Sequence, residues 1–218
     1  MLYLYSGFSP DFEENIKHFL FSNNTLVDSV TLLLQGGPGY ENYLDSYIEP
    51  IKYYGVKNIN IIVPMNNRNE IEKNDIEIIR QSDSVFIGGG YTPRYAELYG
   101  TEEITKIIKE KFMKGINIAG LSAGSLIMND IVKSDNKTFN GLGLVRNMNI
   151  YPHFEDEKYG YNMIKDAIEN LGMCCYGIET NAYLEINNKG NINKKGNGKV
   201  YKATNKSKGE VELIELLP

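Results

Sequence analysis

The stretch of sequence that decides the fold is GINIAGLSAGSLIMND, residues 115–130. Residues 116–119 form a short apolar run with β-branched side chains, which indicates a buried strand. A second apolar pattern begins at Leu126, after a cluster of Gly, Ser and Ala. The passage therefore predicts a strand, a tight turn and a helix, and it places Ser122 in the turn.

Ser122 lies in a G-x-S-x-G pattern, between Gly120 and Gly124, and this pattern is typical of a nucleophile elbow. Such a turn is sharp, and residues without bulky side chains let the strand and the helix approach each other. The serine hydroxyl is then held in open space. The N–H of Ala123 would lie at the helix N-terminus, where an oxyanion is favoured. The alternative is that Ser122 only caps the helix.

The composition favours one α/β domain over residues 1–218. The chain has 218 residues, of which 42% are hydrophobic, and this suffices for one substantial core. Its net charge of −5 and the lack of a basic stripe argue against a nucleic-acid partner. The lysines of residues 189–208 are interleaved with Asn and Gly, so we expect solvated turns there.

Cysteine usage and hydropathy bear on the cellular compartment. Cys174 and Cys175 are adjacent and are the only cysteines, so no disulfide framework is expected. No apolar run approaches the ~20 residues that span a bilayer, and the N-terminal MLYLYSGF has no charged segment before its apolar part. We therefore expect a cytoplasmic protein without a membrane partner, and a homodimer is kept as a candidate assembly.

Apolar runs and helical spacings alternate along the first half of the chain. This rhythm predicts an α/β fold with a mostly parallel sheet that helices cover on both faces. Functional residues are then expected at the carboxyl ends of the strands. The predicted strands are residues 2–5, 31–34, 59–63 and 85–87, and the predicted helices are residues 11–21, 43–51, 71–79 and 101–113.

Two glycine-rich loops follow predicted strands. The first, QGGPG at residues 35–39, matches neither phosphate-binding pattern, so a tight β-to-α turn is favoured. The second, GGGYT at residues 88–92, follows the strand that immediately precedes the elbow strand in sequence. Three glycines can bring backbone N–H groups close to a substrate, so a second oxyanion donor is expected here.

A serine nucleophile needs a base, and the chain has two histidines. His18 lies among the apolar positions of a predicted helix and is best explained as a surface or boundary residue. His153 follows an alternating apolar pattern and Pro152, at an expected strand end. A histidine at that edge of the sheet is what general-base chemistry requires, so His153 is the candidate base.

The acid that would orient the imidazole is less well determined. Glu179 lies on or just after a short apolar strand and ranks first, ahead of Asp130 and Asp135. Asp130 is on the elbow helix, about two turns from Ser122. Glu155 and Asp156 rank lower because they sit in a solvated acidic run next to His153.

Three motifs together resemble one known family. GLSAGS at residues 120–125, GGGYT at residues 88–92 and PHF at residues 152–154 are similar to the motifs of the peptidase E and cyanophycinase family of serine peptidases. The resemblance covers residues 2–186. It implies a fold like that of the class I glutamine amidotransferases, a three-layer α/β/α sandwich, and a triad in the order Ser, His, Glu.

The family's functional residues carry over to matching positions. The resemblance implies Ser122 as nucleophile, His153 as base and Glu179 as orienting acid. It also implies an oxyanion hole built from Ala123 and one glycine of the triplet, Gly89 or Gly90. The candidate substrate-binding residues, in or just after the GGGYT loop, are Tyr91, Thr92 and Arg94.

The leading prediction is a serine dipeptidase or small-peptide hydrolase that needs no metal or cofactor. The sequence departs from the family at Tyr91, where Asn or Gln is usual, and it has no arginine in residues 154–169. We therefore expect that an N-terminal aspartyl residue is not strictly required in the peptide substrate. The alternatives are a non-catalytic binding or regulatory member of the same fold, and an esterase. The esterase is disfavoured because no histidine follows His153.

Overall fold

A computed structural model of the chain describes residues 1–37, 39–64, 70–134, 137–145, 148–155, 164–165, 168, 174–207 and 210–217. Two of the candidate acids, Asp135 and Asp156, lie outside these residues. The helices are α1 (Phe12–Leu20), α2 (Glu41–Tyr53), α3 (Lys73–Gln81), α4 (Thr92–Tyr99), α5 (Glu102–Met113) and α6 (Ala123–Leu126). The strands are β1 (Leu2–Tyr5), β2 (Phe21–Ser22), β3 (Thr25–Leu26), β4 (Ser29–Leu33), β5 (Asn58–Ile62), β6 (Ser84–Ile87), β7 (Asn117–Leu121), β8 (Ile131–Ser134), β9 (Lys137–Asn140), β10 (Met148–Pro152), β11 (Cys174–Ile178), β12 (Ala182–Ile186), β13 (Ile192–Gly196), β14 (Val200–Ser207) and β15 (Glu210–Glu215).

A seven-stranded sheet forms the centre of the molecule, in the order β13-β12-β1-β7-β6-β4-β5. The five strands from β1 to β5 in this order are parallel, whereas β12 and β13 are antiparallel to their neighbours. The predicted strands 2–5, 31–34, 59–63 and 85–87 correspond to β1, β4, β5 and β6. The parallel strands bring the chain segments after β6 and β7 to the same edge of the sheet.

Helices cover both faces of this sheet because the strands present apolar side chains on both sides. In β1, Leu2 and Leu4 face the core beneath α3, α4 and α5. Tyr3 and Tyr5 face the opposite core, beneath α1 and α2. The period of two along the strand thus places alternate residues in two separate cores. The predicted α/β fold with a mostly parallel central sheet and helices on both faces is confirmed.

A second sheet was not predicted. It has four strands in the order β10-β11-β14-β15, of which β10 and β11 are parallel and the other pairs antiparallel. The expectation of solvated turns in residues 189–208 is therefore wrong over β13 and β14. Within β14, Lys202 lies between the buried residues Tyr201 and Ala203, which are 8% and 0% exposed. Alternation along a strand lets such a segment bury one face while its lysine lies on the other.

The elements next to the elbow also differ in detail from the predictions. The elbow helix α6 is a single turn, Ala123–Leu126, before the chain turns toward β8. Helix α4 directly after the GGGYT loop was not predicted, although Pro93 in its first turn is a usual helix-start residue. In the described part of the chain, no helix is long and apolar enough to cross a membrane.

Candidate active site

The turn between β7 and α6 holds Ser122 in a conformation that few residues adopt. Its φ of 52° and ψ of −111° lie outside the usual regions for a residue with a side chain. A Cβ on Gly120 would lie 2.5 Å from the carbonyl carbon of Gly124. A Cβ on Gly124 would overlap the carbonyl oxygen of Ile87 in β6. Both glycines of the G-x-S-x-G pattern are therefore required for the strand and the helix to pack.

The Ser122 hydroxyl faces a histidine and does not cap the helix. No side-chain hydrogen bond from Ser122 caps α6. Its Oγ lies 2.8 Å from Nε2 of His153. The backbone holds the turn in place, because the Ser122 N–H donates to the carbonyl oxygen of Tyr5 at 2.9 Å. Ser125 Oγ donates to the same oxygen at 2.8 Å. The sequence-predicted pair Ser122 and His153 is thus brought together.

Two residues at the end of β1 fix the position of His153. The His153 N–H donates to Ser6 Oγ at 2.6 Å, and Ser6 Oγ donates to the carbonyl oxygen of Ile178 at 2.8 Å. The histidine backbone has a φ of 58°, which is uncommon outside glycine. A Cβ on Gly7 would lie 3.1 Å from Cε1 of the imidazole. Ser6 and Gly7 directly follow the predicted strand of residues 2–5, and no sequence pattern indicated their role at the site.

The other imidazole nitrogen faces Thr180. Nδ1 of His153 lies 3.5 Å from Thr180 Oγ1, and this hydroxyl is hydrogen-bonded to Oε1 of Glu155. The same Oε1 accepts the N–H of Thr180 at 2.5 Å. Glu155, which ranked low as a candidate acid, and Thr180, which was not considered, therefore lie on the far side of the imidazole from Ser122.

Glu179, the acid ranked first from the sequence, follows β11 as expected. Its Oε2 accepts the backbone N–H of Lys199 at 2.7 Å, and its own N–H donates to the Lys199 carbonyl oxygen at 3.0 Å. Among the described residues, the hydrogen bonds of Glu179 do not include His153. A role for Glu179 as orienting acid stays a prediction. Asp130 lies elsewhere, next to Gly143 and Lys109. A Cβ on Gly143 would lie 2.7 Å from Asp130 Oδ1 and 3.0 Å from Lys109 Nζ.

The glycine triplet contributes backbone donors next to the elbow. A Cβ on Gly89 would lie 3.3 Å from Cβ of Ser122, so the loop passes close to the serine. The Gly89 N–H already donates to the hydroxyl of Tyr47 at 2.8 Å. In the described structure, the N–H groups of Gly90 and Ala123 have no hydrogen-bond partner. These two groups are therefore the available donors among the predicted oxyanion-hole residues.

A cavity of about 390 Å³ opens beside Ser122 and His153. Its described lining is largely aromatic and aliphatic, and no Asp, Glu, Lys or Arg of the described residues belongs to it. Burial raises the pKa of Tyr47 to about 12, although the hydrogen bond from Gly89 lowers it, so its hydroxyl stays protonated at neutral pH. The lining residues include Phe8, Leu34, Gln35, Tyr40, Tyr43, Tyr47, Tyr95 and Leu121.

The first glycine-rich loop also contributes to this cavity. It makes the expected turn between β4 and α2, and Gly36 and Gly39 have positive φ values of 67° and 79°. Both glycines and Gln35 line the cavity. Gln35 also bridges the two loops, because its Oε1 accepts the N–H of Tyr91 at 3.0 Å. The sequence indicated a turn but gave no sign of this contact between the loops.

The three candidate substrate-binding residues lie at the start of α4, outside the described cavity lining. The side chain of Tyr91 is 57% exposed, and Thr92 is buried. Arg94 is partly buried and lies near Tyr99. Burial raises the pKa of Tyr99 well above its ordinary value, and the positive charge of Arg94 acts in the opposite direction. Among the described residues, no group of three His, Cys, Asp or Glu side chains is placed to hold a metal ion.

An α/β fold with a serine at a sharp strand-to-helix turn and a histidine 2.8 Å from its hydroxyl is an arrangement found in serine hydrolases. The chain belongs to peptidase family S51, whose family model matches residues 39–193. The resemblance to peptidase E and its relatives is thereby confirmed. No curated protein sequence matches the chain.

Two solved structures share the fold. The first is a peptidase from an acI-B1 Actinobacterium, with a TM-score of 0.68 and 17% sequence identity over 98% of this chain and 96% of the other. The second is a candidate peptidase E protein from Listeria monocytogenes EGD-e, with a TM-score of 0.64 and 18% identity over 90% of this chain and 98% of the other. At these identities the likeness shows the fold alone.

Proposed function

We propose that the protein hydrolyses small peptides, with Ser122 as the nucleophile and His153 as the general base. The observation that carries this proposal is the 2.8 Å distance between Ser122 Oγ and His153 Nε2, at a serine held in a strained turn. A neutral imidazole whose Nε2 accepts the serine proton is the arrangement that activates a hydroxyl. Membership of a peptidase family supports the choice of an amide bond as the target.

The chemistry follows from these positions. Ser122 Oγ attacks the carbonyl carbon of the peptide bond while its proton passes to Nε2 of His153. The negative charge that develops on the carbonyl oxygen is stabilised by the N–H groups of Ala123 and Gly90. His153 then gives the proton to the leaving amine, which departs and leaves an acyl-serine ester. Water, deprotonated by the same histidine, hydrolyses this ester and restores the serine.

The orienting acid has two candidates in the proposed mechanism. Glu179 is implied by the family resemblance and directly precedes Thr180, which faces His153. Its carboxylate, however, is engaged by the backbone of Lys199. Glu155 reaches the imidazole through the Thr180 hydroxyl.

The substrate is proposed to be a small peptide with a neutral side chain at the scissile residue. An acidic side chain binds well in a partly desolvated site only where a cation pairs with it. The described lining of the cavity is aromatic and uncharged, and Tyr43, 64% exposed, stands at its rim. We also propose that the protein acts in the cytoplasm, because Cys174 and Cys175 are both free thiols.

A panel of dipeptides measures the substrate preference. We expect kcat/KM for Asp-Leu to be no more than about tenfold above that for Asn-Leu, Ala-Leu and Tyr-Leu, because the described lining of the cavity holds no cation that would pair with the carboxylate. The four peptides are compared at equal concentration and moderate salt. An Asp-Leu preference of about a thousandfold over Asn-Leu would show that a cation outside the described lining recognises the acid.

A serine-directed phosphonate tests the proposed function itself. Wild-type protein is incubated with a diphenyl phosphonate of an apolar amino acid and digested, and the modified peptide is identified by mass spectrometry. We expect one adduct on Ser122 and parallel loss of dipeptide hydrolysis. Ser122→Ala is the control and should take up no phosphonate. Wild-type protein that is neither labelled nor active on any dipeptide would favour a binding or regulatory role.

A further inference from the structure

The segment that carries His153 is tied to the end of β11 by successive contacts. Phe154 donates its N–H to the carbonyl oxygen of Ile178 at 3.0 Å. Its ring is 2% exposed and lies over Gly177, where a Cβ would come within 2.5 Å of the ring. The next residue, Glu155, accepts both the N–H and the hydroxyl of Thr180. The Glu155 carboxylate is therefore held in place by the residue that faces His153.

The hydrogen bonds around Thr180 have only one consistent direction. A carboxylate is an acceptor only, so the Thr180 hydroxyl donates its proton to Glu155 Oε1. The oxygen of that hydroxyl then has lone pairs available for the N–H on Nδ1 of His153, 3.5 Å away. With the ring proton on Nδ1, Nε2 carries the lone pair that accepts the proton of Ser122.

We infer that Glu155, acting through the Thr180 hydroxyl, is the carboxylate that positions His153. The inference rests on the proposed function, because it concerns the histidine of that same reaction. Glu155 and Thr180 are positioning residues: they fix the tautomer and orientation of the imidazole and stabilise the positive charge that it gains. The Nδ1–Oγ1 distance of 3.5 Å is long for a hydrogen bond, and such contacts tighten when substrate binds.

Glu179 is the competing carboxylate, and its surroundings argue for a different role. It forms a two-bond bridge with the backbone of Lys199, which joins the end of β11 to the start of β14. Its carboxylate thereby satisfies a backbone N–H that would otherwise lack a partner. Glu179 therefore links the end of β11 to the start of β14, and Thr180 is the residue that contacts Nδ1 of His153.

Four single variants separate the two carboxylates. Thr180→Val removes the hydroxyl at nearly constant shape, and Thr180→Ser is its matched control because it keeps the hydroxyl. Glu155→Gln removes the charge, and Glu179→Gln is the same change on the neighbouring acid, where the amide oxygen can still accept from Lys199. Each variant is assayed for kcat and KM with a dipeptide, for the rate of phosphonate labelling at Ser122, and for its thermal unfolding midpoint.

We expect Thr180→Val and Glu155→Gln to lower kcat about 100-fold, with KM unchanged and phosphonate labelling slowed in proportion. This is less than the ~10⁴-fold loss for a directly bonded acid, because the contact runs through a hydroxyl. The Thr180→Val/Glu155→Gln double variant should lose no more than the worse single variant, since both remove one chain of contacts. Thr180→Ser and Glu179→Gln should keep kcat within about threefold of wild type.

The outcomes separate this inference from the proposed function. Wild-type labelling and hydrolysis at Ser122 establish the function whatever the variants do. With an active wild type, a near-normal Glu155→Gln together with a disabled Glu179→Gln would overturn the inference and restore Glu179 as the acid. Equal losses in Thr180→Val and Thr180→Ser would also overturn it, because the hydroxyl would then not matter. A wild type that is neither labelled nor active overturns both proposals.

Discussion

The serine and the histidine of the site come from two different sheets, and the two sheets hold them in different ways. Ser122 directly follows β7 of the seven-stranded sheet, and its turn requires the glycines two residues before and after it. His153 follows β10 of the four-stranded sheet, and its backbone is fixed by Ser6, which is remote in sequence. Both halves of the site bond to residues at the end of β1, Tyr5 on the serine side and Ser6 on the histidine side, but only the serine half also depends on a local glycine motif.

The largest effect is expected when either half loses its reacting group. Ser122→Ala and His153→Ala should each lower kcat for dipeptide hydrolysis by several powers of ten, because members of such a unit act together. Both variants should unfold at about the wild-type temperature. Combining the two substitutions should cost little more than either alone. A His153→Ala variant with near wild-type turnover would show that another group takes the serine proton.

Adding one methyl group to each half should expose the difference between them. In Gly124→Ala the new Cβ meets the rigid carbonyl of Ile87, so we expect a loss of about 3 kcal/mol in the free energy of unfolding. In Gly7→Ala the new Cβ meets the imidazole edge and the Thr180 methyl at 3.1 and 3.0 Å, and both of these can shift.

For Gly7→Ala we therefore expect about 1 kcal/mol of destabilisation but at least a tenfold loss of kcat. Urea unfolding and steady-state kinetics measure the two quantities for each variant. If Gly7→Ala were as destabilised as Gly124→Ala, the two halves would be equally rigid.

Ser6→Ala tests the long-range bonds directly. It removes the acceptor for the His153 N–H and the donor to the Ile178 carbonyl, so the free energy of unfolding should fall by about 2 kcal/mol. The misplaced imidazole should also lower kcat about tenfold with little change in KM. Ser125→Ala, which removes the bond to Tyr5 on the elbow side, is the matched comparison. A larger kcat loss in Ser125→Ala would contradict the contrast drawn between the sheets.

The last effect is on stability alone, and it concerns the tyrosine that accepts the Gly89 N–H. Burial raises the pKa of Tyr47 from its ordinary value of 10.0 to about 12. An unfolded tyrosine loses its proton first as the pH rises, so this group's stabilisation is full below pH 10 and is lost between about pH 10 and 12. The loss is at most about 3 kcal/mol. Unfolding measured at pH 8 and pH 11 should therefore show a smaller pH dependence in Tyr47→Phe than in wild type.

The sequence could predict the features that depend on near neighbours. The elbow, its glycines and the alternation of strands and helices are local patterns, and the structure has them. The inferred acid is different, because Glu155 and Thr180 meet only through the pairing of β10 with β11. An acidic run after His153 has the composition of a solvated loop, and nothing local shows that one of its carboxylates bonds to Thr180. Strands β13 and β14 of the lysine-rich segment were missed because their composition is that of a solvated loop.

The position of β1 in the central sheet limits when its strand pairs can form during folding. This strand lies between β7 and β12, and its Leu2 pairs with Ile118 on one side and Ile186 on the other. During synthesis β1 leaves the ribosome long before either neighbour, so both of its edges stay unpaired while most of the chain is made. Pairing over such separations is slow to form. Ser6 and Gly7 then meet His153 only late in folding, and the nascent chain carries the proposed nucleophile without a positioned base.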